Sequence, residues 1–356
     1  MKLQNLVWGV LLAGLTGCSM QKMAGDAVIE YTHDVAIPYL MAQGDLESAC
    51  QMGQAMGPLV SSFSRVELEP EQIGIATQMA SGMCAEMNQR EAELERGRAL
   101  YENRTAAAQD ATIREKQAHR VAALRMIAAY DNAMATYGDM SARCPKFDNT
   151  TDELLSLLGL ASGALALLHD FNSEKSVEIS LDVPVQIEKS ASCFDDARWW
   201  GMPTALRASL WLSIPGAGPE GVDPLQAMEE AARTGDKQGV LLARAMLVMM
   251  AGTVGRHDVL CRALEEIPSR DSLDADYAML NAYAMGLMTH QADLAWTKER
   301  GYRAPFLRPS CPVASQTSMD ADKVEDLLDG LFEDEMSEAP VEDVSATDAE
   351  AATEQP

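Results

Sequence analysis

Aromatic residues make up only 5% of this 356-residue chain, and 28 basic residues face 54 acidic ones. None of its seven cysteines belongs to a Cys-x-x-Cys pair. Each shortage removes a class of protein. A formal net charge of −26 repels nucleic acid and anionic lipid surfaces, which excludes a nucleic-acid role. Without paired thiols, neither a zinc knuckle nor a thioredoxin-like site is indicated. The chain also lacks a GxSxG elbow, an HExxH helix and a P-loop. Its histidines, His33, His119, His169, His257 and His290, are scattered. His257 and Cys261 share a helix face at i, i+4, but two ligands make a poor metal site. Asp271, Asp274 and Asp276 lack the Gly and terminal Glu of a calcium loop. The expectation is a non-enzyme with no metal and no cofactor.

What the chain does have begins at its N-terminus. Lys2 supplies a positive start and Leu6 to Leu15 is an apolar run, too short for a hydrocarbon core of about 30 Å. It has the length and flanks of a secretory signal. Leu15-Thr16-Gly17-Cys18 follows directly and looks like a lipobox, the site at which bacterial lipoproteins are acylated on cysteine and cut just before it. Residues 1–17 then read as the signal peptide, and the mature chain starts at an acylated Cys18. Ser19 in place of Asp resembles outer-membrane sorting, so the expected location is the periplasmic face of the outer membrane, lipid-anchored. The membrane is a partner through that anchor.

Export changes how the other cysteines read. Cys50, Cys84, Cys144, Cys193, Cys261 and Cys311 form an even set in an oxidising compartment, which suggests bridges over buried thiols, with fifteen connectivities open. Hairpin symmetry narrows them. Residues equally distant from the turn of an antiparallel helix pair lie side by side. Cys50 and Cys84 are each about seventeen residues from a turn centred near Glu67, and Cys144 and Cys193 are symmetric about His169. Cys261 and Cys311 pair by elimination.

Hydrophobic residues reach 47%, with abundant Ala and Met and few aromatics, a mix that favours helix over sheet. Asp26 to Met41 reads as a helix kinked at Pro38, and Asp45 caps a second from Leu46 to about Val60. Pro70 opens a third through Asn88. No proline occurs between Pro70 and Pro145, so Gln89 to Thr136 reads as one long helix or two in tandem. Its first half is either a solvated arm or packs through Ala. Thr150 with Glu153 forms a capping box ahead of the strongly apolar run Leu154 to His169, a covered central helix or the wall of an apolar cavity. Ser173 to Leu181 alternates and predicts a short strand. Pro203 starts a helix through Ile214. Asp223-Pro224 starts another that stops at Gly235, Asp236 the next, then Arg256 to Ile267 and Asp274 to Arg300.

Short helices joined by Gly-Asp and Gly-Arg turns predict an all-α fold, a TPR-like or α-solenoid array of antiparallel helices spanning residues 18–318, with parts at 24–140 and 150–303. Residues 319–356 hold fourteen acidic residues against Lys323 and read as a disordered acidic tail. Trp199, Trp200 and Trp211 cluster beside the Gly201-Pro203 break. With Arg207 they are the candidate ligand or partner residues, although clustered Trp also anchors cores.

The second half carries a resemblance. The run Leu154 to Leu168, Pro184 to Lys189, Asp195-Asp196, Trp200-Gly201, Pro215-Gly216, Ala243-Arg244-Ala245 and Leu280-Asn281-Ala282 resembles the TatT family, periplasmic lipoproteins associated with TRAP transporters. The resemblance implies a TPR-like fold, homotrimers, and a hydrophobic or organic-acid ligand held beside a periplasmic solute-binding protein. The cysteines beyond the anchor and the acidic tail depart from it. The competing expectation is an envelope lipoprotein scaffold that joins proteins and holds no small ligand.

Overall fold

The computed structural model describes residues 22–66 and 70–312. Cys18, the signal segment and the acidic tail at 319–356 lie outside the described residues. All regular structure described is helical, and no strand occurs among the described residues.

The first helix, α1, covers residues 22–41. Its middle widens into a π-turn at Thr32–Ala36 before Ile37–Met41 continues. Pro38 sits just beyond that turn, and a proline removes one backbone donor and crowds the carbonyl four residues back. Asp45 caps α2 (Leu46–Ser61) by accepting from the Ser48 amide at 3.0 Å.

Two long helices follow, α3 (Glu71–Tyr101) and α4 (Thr105–Tyr137). The third helix therefore runs well past Asn88, and the long run is an antiparallel hairpin. Its turn is Asn103, which takes a left-handed φ of 57°. The Arg104 amide bonds back to Ala99 O at 2.7 Å and Asn103 N to Leu100 O at 3.1 Å, the pattern of a Schellman cap. The facing surfaces are built from alanine: Ala92 and Ala99 on one helix, Ala108, Ala111, Ala122 and Ala129 on the other, all buried. Small side chains let the two axes approach closely, so the sparse apolar content of this stretch still makes a packed seam.

Asn149, one residue before Thr150, is the cap of α5 (Thr150–Asn172), accepting from the Asp152 amide at 2.9 Å. α5 is the covered central helix, packed by α3, α4, α6 (Val183–Ala191) and α7 (Met202–Ser213). The expected strand at 173–181 is a loop. Asp170, at the end of α5, accepts from the Val177 and Ile179 amides at 2.8 and 3.0 Å, which turns the segment back on the helix end. Glu174, Lys175 and Glu178 take positive φ to make that path.

Four short helices complete the array: α7, α8 (Pro224–Lys237), α9 (Leu242–Thr253) and α10 (His257–Glu265). Asp223 caps α8 through the Leu225 and Gln226 amides. α8 does not stop at Gly235. A Cβ there would stand 2.5 Å from Val240 O and 2.8 Å from Trp200 O, so this glycine serves a close approach. The last helix, α11 (Ala278–Arg300), packs against α9 and also returns to α3. Residues up to Cys311 form one unit, with its main core running from α5 to α11.

Disulfides join Cys50 to Cys84, Cys144 to Cys193 and Cys261 to Cys311, with Cα separations of 5.2, 5.4 and 5.5 Å. The first sits across the α2–α3 hairpin as symmetry about residue 67 requires. The second does not turn about His169, which lies inside α5. The return limb is the 173–182 loop plus the shorter α6. The third holds the segment after α11 against α10, where Arg308 also donates to Ile267 O at 2.5 Å.

Candidate functional site

A groove of about 680 Å³ lies within the size range of small-molecule sites. Its floor is one face of α11, Ala278, Asn281, Ala282 and Met285, at the i, i+3, i+4, i+7 spacing that shares a side of a helix. Ile267 and Leu273, from the link between α10 and α11, make one wall. Leu307 and Gly44 close the others. Most of these side chains are apolar.

The groove exists because the link is held open. Gly239, at φ 72°, turns its carbonyl to the Asp274 amide at 3.0 Å and to Asn281 Nδ2 at 2.9 Å. A Cβ at Gly239 would meet Ser272 O and Asp274 N at 2.6 Å. Buried Asn281 in turn accepts from the Leu241 amide at 2.9 Å, tying the start of α9 to α11. Arg308 is spent on the carbonyl end of α10. Arg270, exposed on the rim, has no ion pair within the described residues. The arrangement is a largely apolar slot whose lining also holds Arg270, without an ion pair among the described residues, and Asp274, which accepts from the Asp276 amide at 2.9 Å. It can hold an amphipathic molecule with a single anionic end. No sequence argument singled out these residues, although apolar Leu273 and Phe306-Leu307 in non-helical stretches are the signal that could have.

The sequence candidates lie elsewhere. Trp199 is 1% exposed, donates to Glu153 Oε1 at 2.7 Å and meets Trp200 edge-on at 5.3 Å. Trp200 packs on Tyr277 at 4.4 Å. It also takes a left-handed φ of 55° just before Gly201 at 73°, where a side chain would run into the Ala231 carbonyl. These two indoles are core. Trp211 is half-buried, with the Arg207 guanidinium 5.0 Å from its ring centroid. Glu188 Oε1 accepts from Arg207 at 2.9 Å and from the Trp211 indole at 3.3 Å. In that trio one carboxylate oxygen receives both donors. The apolar α5 does wall a cavity, with Met79, Met83, Met126 and Tyr283, but its volume is about 50 Å³, room for little more than a solvent molecule.

A second polar feature lies under the groove helix. Where α11 meets α3, Tyr283 donates to Glu86 Oε2 at 2.7 Å and His290 Nε2 lies 2.8 Å from Glu93. Glu86 also receives His169 Nε2 at 2.9 Å, and His169 Nδ1 faces His119 Nδ1 at 2.8 Å. Burial pushes the Glu86 carboxyl up. Hydrogen bonding and charge from His169, with Arg90 and Tyr283, outweigh burial and hold it below the usual range. Glu93 is also lowered: burial opposes, but His290, Arg96 and Gln89 prevail. His119, buried and facing a second imidazole, is pushed down to about 4. The four helices α3, α4, α5 and α11 meet at this network.

Among the described residues no three His, Cys, Asp or Glu side chains gather as a metal site, and Cys261 is committed to its disulfide. Comparison with protein-family models, curated protein sequences and solved structures gives no match to this chain.

Proposed function

We propose that this chain is a lipid-anchored periplasmic accessory protein that holds a hydrophobic or organic-acid ligand without transforming it. The observation that carries the reading is the groove of about 680 Å³ with largely apolar walls and, at its rim, Arg270, which has no ion pair among the described residues. A carboxylate would pair with the guanidinium, and the apolar body would lie along Ala278, Ala282 and Met285. Association with a TRAP-type transporter and its solute-binding protein, and a homotrimeric state, rest on the sequence resemblance between Leu154 and Ala282. The TPR-like reading is supported by the run of α7 to α10, which pair in succession and hold 12, 14, 12 and 9 residues. Placement on the outer membrane rests on Cys18 and Ser19, and disorder of residues 319–356 on their acidic composition.

The test is mass spectrometry of small molecules that copurify with the acylated protein. An amphipathic acid or lipid is expected from wild type. It should be lost from Ala282→Trp, which fills the slot, and weakened in Arg270→Ala, with circular dichroism unchanged. A wild-type protein that carries nothing and binds no fatty or organic acid in calorimetry overturns the ligand reading in favour of the scaffold.

A further inference from the structure

The outward side of α1 is apolar, and no part of the described structure covers it. Val28, Tyr31, Val35 and Tyr39 are 39%, 62%, 49% and 65% exposed. Their spacing, i, i+3, i+7 and i+11, puts them on one side of a helix. On the other side Ile37 is buried with Ile75, Ala133 and Leu155. His33 reaches Asp152 at 3.0 Å, which fixes the helix to the start of α5. Asp26, Glu30 and Asp34, four residues apart, form a separate acidic line along the helix. α1 therefore has two apolar sides, and the body of the protein uses only one.

We propose that the second side lies in the headgroup region of the membrane that holds the acylated Cys18. The inference rests on the lipoprotein reading of Leu15-Thr16-Gly17-Cys18. Lys22 is four residue steps from Cys18, and a fully extended chain of that length reaches only about 14 Å. The start of α1 is thus held at the bilayer surface by covalent geometry. The apolar face begins at Val28, about 9 Å further along the helix, and is presented to lipid at a high effective concentration, ahead of any partner that must diffuse to it. Two tyrosines among its four residues suit the interface, where an aromatic ring can bury its body and keep its hydroxyl wet. The face carries no charge, and the acidic line beside it disfavours anionic lipid, so the matching surface is a zwitterionic leaflet. Because α1 is bonded to the body through Ile37 and His33, its lying flat would set the orientation of the whole unit. Gly44, three residues past α1, is in the groove wall.

The test places the photo-crosslinking residue benzoylphenylalanine singly at Tyr31, Tyr39 or, as control, exposed Glu47 of α2. The full acylated chain is reconstituted in vesicles of phosphatidylethanolamine and phosphatidylcholine. Phospholipid adducts are expected at 31 and 39 and absent at 47. Intact mass reads acylation separately: an unacylated mature chain removes the anchor and the proposal together. An acylated chain whose positions 31 and 39 link only to a second copy, or to no lipid, overturns the proposal and leaves the lipoprotein reading standing. In a mature chain that begins at Ser19, with neither signal segment nor acyl group, weak flotation with the same vesicles should be lost on Tyr31→Glu with Tyr39→Glu. Unchanged flotation would also overturn it.

Discussion

His119 should make this fold lose stability in mild acid, well before its carboxylates titrate. The side chain is 5% exposed, and its Nδ1 stands 2.8 Å from His169 Nδ1. Of two imidazole nitrogens facing at that distance, one must carry the proton and the other the lone pair. Burial, then the neighbouring His169, pushes the pKa of His119 from 6.5 down to about 4. The folded value lies below the unfolded one, so the unfolded chain takes up the proton first as pH falls. The stability held by neutral His119 is complete above pH 6.5 and drains away through the window down to about 4. Integrating that difference gives a loss of about 2 kcal/mol at pH 5 and about 3 kcal/mol at pH 4. Glu86 acts in a lower window: its carboxyl is held below the ordinary range, so its contribution is present above that range and lost only on further acidification. The perturbation is His119→Gln, which keeps a polar group opposite His169 but cannot titrate. It should cost about 1 kcal/mol at pH 7.5 for the weakened hydrogen bond. The cost should then shrink as pH falls and reverse near pH 6. Urea unfolding of the oxidised protein, followed by fluorescence of the buried Trp199 and Trp200, measures both curves. Parallel curves for wild type and variant from pH 7.5 to 4 would refute the argument.

Glu86→Ala leaves Arg90, His169 and Tyr283 facing an empty site in the interior and should cost about 3–5 kcal/mol in urea unfolding; Tyr283→Phe, which removes one hydrogen bond, should cost about 1 kcal/mol. Equal costs for the two would show that the charge is not the dominant element. Cys50→Ala with Cys84→Ala opens a loop of 34 residues and should cost about 4 kcal/mol on the chain-entropy account. Non-reducing peptide mapping of wild type that joins Cys50 to any residue but Cys84 would contradict it. Trp199→Ala should cost about 3–5 kcal/mol as a core truncation, whereas half-exposed Trp211→Ala should cost about 1 kcal/mol or less; thermal melts that rank them the other way would undo the core assignment. Asp170→Ala frees the Val177 and Ile179 amides, and hydrogen exchange at those two residues should quicken while α5 stays protected.

Local chemistry made much of the helical plan legible. Asp45 and Asp223 were readable as caps because a carboxylate ahead of an apolar periodic run has one favourable use, accepting from exposed helix amides. Apolar Leu154 to His169 was readable as a covered helix for the same kind of reason. The Cys50–Cys84 bridge followed from symmetry about a turn that the sequence itself marks. The turn at Asn103 was missed because an αL residue other than glycine leaves little trace in composition. The loop at 173–181 was misread as a strand because an alternating pattern is decided by its partner, and here the partner is a single carboxylate, Asp170.

Gly235 shows the same division: as a local signal it ends a helix, and only the neighbouring Val240 and Trp200 carbonyls reveal a contact that excludes a side chain. The groove belongs wholly to this second kind of information. Its walls come from the turn after α1, the link before α11, α11 itself and the segment after it, spanning Gly44 to Arg308. No periodicity joins them, because a cavity is made by what packing leaves unfilled between elements distant in the chain. The Glu86–Tyr283 contact bridges 197 positions. The sequence by itself determined which segments become helices, where most begin and which cysteines a hairpin can join, since those depend on neighbours a few residues away. The return of α11 onto α3 depended on buried charge and shape meeting across the whole chain, and so did the groove beside it. The tertiary structure alone decided both.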